Sequence, residues 1–258
     1  MQLEWLGGHC QARWNEPTIS VRYAELLSED GRCHEQVAGI LQRVLLQTPT
    51  QARAWNTLAS LRWGEDRREE ACQLYRLAAC LHPSHEGYAV QYFRALRALG
   101  RTAEGLQFLE RRQARLGRLA AAPSLTLSET LEEMQRPYEA QALLEQALAW
   151  RTADGDLLLG LAEHLGRNGD AQGCQALLTQ AEPLCRRAAW LRAAVQAGMR
   201  RMDEPRQTLA WAREAAMLEP LAVGAHRLCV TLLEQGEGSE AADAYVCLLY
   251  TSDAADDM

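Results

Sequence analysis

The sequence of 258 residues contains no lysine, so all 27 of its basic residues are arginine. We interpret this absence as a mark of GC-rich codon usage, which is typical of bacteria. It also excludes the phosphate-binding P-loop, because that motif requires a lysine, and no G-x-G-x-x-G is present either. The formal net charge of −7 argues against nucleic acid as a partner, because phosphate contacts need a basic surface.

Paired cysteines at C-x-x-C spacing and long apolar runs are also absent. The eight cysteines, in a chain of this length, favour reduced cytosolic thiols over a disulfide framework. No run of 18 apolar residues occurs, which excludes a membrane-spanning helix on length. The opening stretch MQLEWLGGHCQARW has neither the basic nor the apolar region of a signal peptide. We therefore predict a cytoplasmic protein that does not bind membranes.

Motifs for catalysis or for metal binding are incomplete. The H-E pairs at 34–35 and 85–86 each begin an H-E-x-x-H zinc pattern, but Ala38 and Ala89 stand where the second histidine is required. We predict that the protein is not an enzyme and needs no metal or cofactor.

One cluster could still offer metal ligands. Cys72 and Cys80 lie eight residues apart on one predicted helix, and His82 and His85 flank the turn at Pro83. The interpretation that we favour has no metal, with Cys80 packed in the core and the two histidines facing water.

Residues 52–83, ARAWNTLASLRWGEDRREEACQLYRLAACLHP, predict two helices joined by a turn. Trp55, Leu58 and Ala59 share one face at helical spacing, and Gly64 with Asp66 breaks the helix. A second apolar face follows at Ala71, Tyr75 and Ala78, and Pro83 ends it.

This spacing of tryptophan, small residues, aromatic and proline resembles the tetratricopeptide repeat, a helix–turn–helix unit of about 34 residues. The pattern recurs in units that start near 18, 52, 86, 121, 155, 189 and 223, with a one-residue shift before the fourth. Pro137 and Pro205 are placed near the first turn of a second helix. The resemblance implies an all-α, right-handed α-solenoid of about seven units over residues 18–246. It also implies that Ala59 and Ala71 lie where the two helices of a unit cross.

The two ends of the chain do not fit the repeats. Residues 1–17 are predicted to be an N-terminal extension. Residues 247–258, CLLYTSDAADDM, interrupt the expected second helix of the last unit. This stretch resembles the translation of a sequencing-library adapter, so we expect it to be a non-native tail.

The resemblance also implies a binding surface, because the first helices of such repeats line a concave groove. The positions that map to this groove in the first three units predict a peptide-binding site: Arg22, Arg53, Asn56, Trp63, Arg94 and Arg97. Among the other tryptophans, Trp190 also maps to a groove position, whereas Trp55, Trp150 and Trp211 have core spacing.

Two functional hypotheses follow from the resemblance. In the first, the protein is a non-enzymatic scaffold that binds an extended peptide or a partner helix. Because arginine forks suit carboxylates, that peptide is expected to be acidic or to carry a free C-terminal carboxylate. In the second, the repeats are the recruiting or regulatory arm of a larger bacterial enzyme, such as a glycosyltransferase or a sulfotransferase, whose catalytic domain follows Val246.

Overall fold

Helices make up all the regular structure in residues 16–29, 34–201 and 205–218, which are the residues that the computed structural model describes. In chain order they are α1 (Pro17–Glu29), α2 (His34–Gln47), α3 (Ala52–Gly64), α4 (Arg68–Leu81), α5 (Glu86–Ala98), α6 (Thr102–Leu116), α7 (Ala122–Glu133), α8 (Pro137–Trp150), α9 (Gly155–Arg167), α10 (Ala171–Ala181), α11 (Arg187–Arg201) and α12 (Pro205–Leu218). The predicted seventh unit, nearly all of the N-terminal extension and the predicted tail lie outside these residues.

The chain divides into two compact units, the first ending at Thr126 and the second beginning at Leu127. In the first unit, consecutive helices pack as the hairpins α1/α2, α3/α4 and α5/α6. In the second unit, α9/α10 and α11/α12 pack in the same way. No helix within the described residues is both long and apolar enough to cross a membrane.

Local chemistry explains where several helices begin. Asp154 and Asp170 cap α9 and α10, with their side chains accepting hydrogen bonds from the backbone N–H groups of Leu157 and Gly173. Helices α8 and α12 begin at Pro137 and Pro205, as predicted, because a proline at the first helical position lacks only an N–H that would have no partner there.

A recurring turn ends the four helices α3, α5, α7 and α9. Its left-handed residues are Asp66 (φ 61°), Gly100 (φ 76°), Gln135 (φ 60°) and Gly169 (φ 89°). The residue after each one donates its backbone N–H to the carbonyl five positions earlier, as Arg67 does to Arg62 at 2.9 Å. This is the Schellman pattern, which satisfies carbonyls that the helix end leaves without partners. The turn therefore fixes where each first helix stops and where its partner begins.

Small residues let the two helices of a hairpin approach closely. Ala59 on α3 and Ala71 on α4 are both fully buried, and they belong to one core cluster with Tyr75 and Tyr92. In the next hairpin, a Cβ atom added at Gly105 would lie 2.8 Å from the ring of Phe93. Side chains larger than these would force the helix axes apart.

We predict that Ala59→Leu or Ala71→Leu lowers the free energy of unfolding by about 1–3 kcal/mol, because extra methyl groups overpack the crossing. Ala103→Leu, on the exposed face of α6, is the matched control and should change stability little. Urea unfolding followed by circular dichroism measures all three. Equal effects at the three positions would contradict the assigned crossing.

We also predict that Gln135→Gly stabilises the protein by up to about 1 kcal/mol, because a left-handed backbone costs a glutamine more than a glycine. Gly100→Gln is the reciprocal control, since nothing lies within 4 Å of a Cβ added at that position. It should destabilise by a similar amount through the backbone alone. Thermal unfolding of both variants would show opposite signs, and a shared sign would exclude this explanation.

Candidate functional site

The six residues predicted to bind a peptide all lie on first helices in the first unit. Arg22 is on α1, Asn56 lies with Arg53 and Trp63 on α3, and Arg94 and Arg97 are on α5. The four arginines are exposed, whereas Asn56 and Trp63 are half-buried. We call the surface formed by α1, α3 and α5 around these residues the first-helix surface.

A carboxylate already occupies the guanidinium group of Arg53. Its Nε and Nη2 atoms donate to Glu25 Oε1 and Oε2 on α1, both at 2.6 Å. Arg22 donates to the same carboxylate at 3.3 Å, and Thr57 Oγ1 lies 3.4 Å from it. The hydrogen bonds that Arg53 donates to Glu25 raise the pKa of Arg53, against a smaller opposing effect of burial. Two parallel N–H···O bonds are the strongest arrangement that arginine forms with a carboxylate.

Tyr88 lies on α5, the third of these first helices. Its phenol interacts electrostatically with both Arg53 and Glu25, while burial raises its pKa. The ring of His85 stacks on Tyr88 with 3.9 Å between centroids, and His85 Nδ1 accepts a hydrogen bond from the Tyr88 backbone. Side chains from α1 and α3 therefore form the Arg53–Glu25 pair, and Tyr88 on α5 interacts with its charges.

Asn56 has a side-chain oxygen without a partner. Its Oδ1 atom is buried and accepts no hydrogen bond from the described residues. The neighbouring Ser60 hydroxyl donates to the Asn56 backbone carbonyl at 3.2 Å and lies 3.0 Å from the Tyr75 hydroxyl. It therefore makes no hydrogen bond with the Asn56 side-chain oxygen. Buried polar atoms are nearly always hydrogen-bonded, and this exception lies one helical turn from Arg53.

The tryptophans differ in part from their predicted places. Trp63 packs against the core cluster of Ala59 and Ala71, with Arg68 5.9 Å from its ring. The groove prediction for Trp190 is wrong, because this side chain is buried and donates through Nε1 to the Leu178 carbonyl at 2.8 Å. Spacing alone did not show that it packs edge-on against Trp211, with 5.4 Å between ring centroids.

Two further tryptophans and one cysteine had predicted positions in the core. Trp55 packs against the core of the first unit and donates to the Pro49 carbonyl at 2.8 Å. Trp150, predicted at a core position, is exposed. Cys80, also predicted in the core, is exposed, whereas Cys72 is buried. The eight-residue spacing of the two cysteines did not distinguish their faces.

Sequence reasoning missed the carboxylates that hold these arginines. Besides Glu25, Glu86 on α5 pairs with both terminal nitrogens of Arg112, a side chain only 4% exposed that also donates to the Pro83 carbonyl at 2.9 Å. Thr126 Oγ1 donates to the same carboxylate at 2.8 Å. In the sequence each glutamate is followed by its arginine partner, 28 residues later for Glu25 and 26 residues later for Glu86.

The second unit contains a comparable network around Glu132 on α7. The fully buried His164 on α9 contacts Glu132 through Nδ1, and Arg167 Nη2 lies 2.6 Å from the other carboxylate oxygen. His164 Nε2 lies 3.3 Å from the Asn168 side-chain nitrogen. A neutral histidine that donates from Nδ1 and accepts at Nε2 satisfies both contacts. This network links two first helices and gives each carboxylate oxygen of Glu132 a partner.

These helical hairpins define an all-α repeat solenoid. Its fold is that of the tetratricopeptide repeat proteins, as the resemblance predicted. The structure is similar to yeast Tom70, with a TM-score of 0.64, 14% identity, and coverage of 90% of this chain and 47% of Tom70. It is also similar to a tetratricopeptide repeat protein of Parabacteroides merdae, with a TM-score of 0.56, 12% identity, and coverage of 89% and 91%.

A third similar structure is TTC0263, a tetratricopeptide repeat protein of Thermus thermophilus. Its TM-score is 0.52 at 18% identity, over 70% of this chain and 99% of that protein. No protein-family model and no curated protein matches the sequence. The likeness to these three structures therefore establishes the fold.

We predict that the two arginine–glutamate pairs of the first unit contribute very differently to stability. Arg112→Gln should lower the free energy of unfolding by about 3–5 kcal/mol, because it leaves the Glu86 carboxylate without its buried partner. Arg53→Gln should cost only about 0.2–1 kcal/mol, since the Arg53 side chain is 44% exposed. Urea unfolding measures both, and equal costs would contradict the assigned burial of Arg112.

Proposed function

We propose that the protein is a non-enzymatic interaction scaffold whose first-helix surface binds an acidic peptide or a peptide with a free C-terminal carboxylate. The Arg53–Glu25 pair carries this proposal. It is a carboxylate held by both arms of a guanidinium on an exposed surface, which is the recognition geometry that such a peptide requires. Repeat solenoids use extended surfaces of this kind to bind other proteins.

In this proposal Glu25 binds Arg53 in the free protein, at the position that the ligand carboxylate takes in the complex. Because the pair is partly solvated, water screens it and separating it costs little. A ligand carboxylate can therefore replace Glu25 on Arg53. The Glu25 carboxylate would then remain near Arg22, which already contacts it at 3.3 Å.

Asn56 supplies the second contact. Its Oδ1 atom has no hydrogen-bond partner among the described residues. A small rotation of the amide would direct this oxygen towards a backbone N–H of an extended peptide, and the amide nitrogen towards a carbonyl. An asparagine that hydrogen-bonds the peptide backbone does not distinguish between ligand side chains. The specificity of the proposed site therefore comes from its arginines, Arg53, Arg94 and Arg97.

Arg94 and Arg97 supply the third contact. They lie one turn apart on the exposed face of α5, the helix whose Tyr88 interacts electrostatically with Arg53 and Glu25. A peptide that begins at Arg53 and follows the neighbouring first helix therefore meets two further guanidinium groups. Trp63 is half-buried at the end of α3, where it offers an apolar surface to a ligand side chain.

The test uses a pool of fluorescein-labelled acidic hexapeptides with free C-termini, with binding measured by fluorescence anisotropy. The variant Arg53→Glu/Arg94→Glu should weaken binding at least tenfold. Binding to the parent protein should also weaken as salt rises, because the Debye length falls from about 10 Å at 0.1 M to about 3 Å at 1 M.

Two further variants control this experiment. Arg43→Glu/Arg76→Glu makes the same change of charge at exposed positions on the second helices α2 and α4, and it should bind like the parent. Glu25→Gln removes the internal competitor, so it should bind more tightly than the parent. Equal binding by the two double variants, or weaker binding by Glu25→Gln, would overturn the proposal.

A further inference from the structure

A separate cavity lies on the second helices of the first unit, away from the residues of the proposed peptide site. It has a volume of about 270 Å³ and is formed by α4, α6 and the turn at Pro83. Ala79, Pro83 and Phe108 give it a mainly apolar lining. Phe108 is held edge-on against Tyr92, with 4.9 Å between ring centroids, so this wall of the cavity is part of the packed core.

Two exposed arginines line the same cavity. Arg111 and Arg115 lie one turn apart on α6, and no carboxylate among the described residues pairs with either. Most other arginines of the first unit differ, as Arg53, Arg62 and Arg101 do through their glutamate partners. An apolar cavity with two neighbouring guanidinium groups is complementary to a ligand that carries both an apolar group and an anionic one.

Arg112 fixes the shape of this cavity. Its guanidinium donates to the Pro83 carbonyl at 2.9 Å and pairs with Glu86, which ties α6 to the turn and to α5. The Arg112 side chain is buried and its charge is compensated by Glu86, so this guanidinium is not available to a ligand. The cavity is therefore preformed, and Arg111 and Arg115 alone provide its recognition of charge.

We propose that this cavity binds the C-terminal residue of a partner polypeptide. The apolar side chain of that residue fills the space against Phe108 and Pro83, and its α-carboxylate meets Arg111 and Arg115. A C-terminal residue fits because its carboxylate and its apolar side chain leave the same Cα atom. In an internal aspartate or glutamate the side chain is itself the charge, which leaves the apolar lining unfilled. This site is independent of the first-helix surface.

Cys80 provides a direct probe of occupancy. It is an exposed thiol that lines the cavity, whereas Cys72 on the same helix is buried. The rate at which iodoacetamide alkylates Cys80 can be followed by mass spectrometry on the tryptic peptide 77–94, which contains no other cysteine. The ligand to be added is acetyl-Gly-Gly-Leu with a free carboxylate, and its C-terminal amide is the matched control.

The free acid should slow alkylation of Cys80 at least threefold at saturation, and the amide should not. The variant Arg111→Gln/Arg115→Gln should lose this protection. The variant Arg53→Glu/Arg94→Glu, in which the corresponding tryptic peptide is 77–97 because Arg94 is lost, should keep it, which separates this site from the proposed peptide site. The proposal is overturned if 10 mM acid gives no protection, if the amide protects equally, or if protection persists without Arg111 and Arg115.

Discussion

The close approach of paired helices is the constraint on which the rest of this structure depends. It requires a residue without a long side chain at each crossing: Ala59 and Ala71 are fully buried in one hairpin, and Gly105 lies against the Phe93 ring in another. In the second unit, a Cβ atom at Gly198 would lie only 2.2 Å from the Thr208 hydroxyl. A single hairpin cannot bury its own outer apolar faces. The next hairpin packs against them, so a series of hairpins forms a continuous core.

Charge pairs between helices form a second layer of organisation. Arg53 binds Glu25, Arg187 binds Glu214 at 2.7 Å, and Arg167 lies 2.6 Å from Glu132. In a chain without lysine, the planar guanidinium serves for all of these contacts, and its two-armed geometry holds a carboxylate in one orientation. Many arginines of the described residues therefore pair with carboxylates inside the structure.

The two proposed sites of the first unit differ in whether their arginines are paired with a carboxylate of the protein before a ligand binds. On the first-helix surface Arg53 is already paired with Glu25, so an acidic ligand would have to displace that carboxylate. At the proposed cavity site, no carboxylate of the described residues pairs with Arg111 or Arg115, and the small volume beside them would set the selectivity. If both proposals hold, one partner would bind through an acidic stretch and another through its C-terminus.

The sequence by itself determined the helices, their pairing and the class of fold, because helical spacing, turn residues and small residues at crossings are local signals that repeat. It also indicated which helices carry Arg22, Arg53, Arg94 and Arg97. It could not show that Arg53 is already bound to Glu25, since that contact joins residues 28 positions apart in neighbouring hairpins. The burial of Trp190 and of Arg112, and the exposure of Cys80, were likewise decided only by tertiary packing. One face of a helix turns inward or outward according to which neighbour covers it, and that is a property of the assembled hairpins.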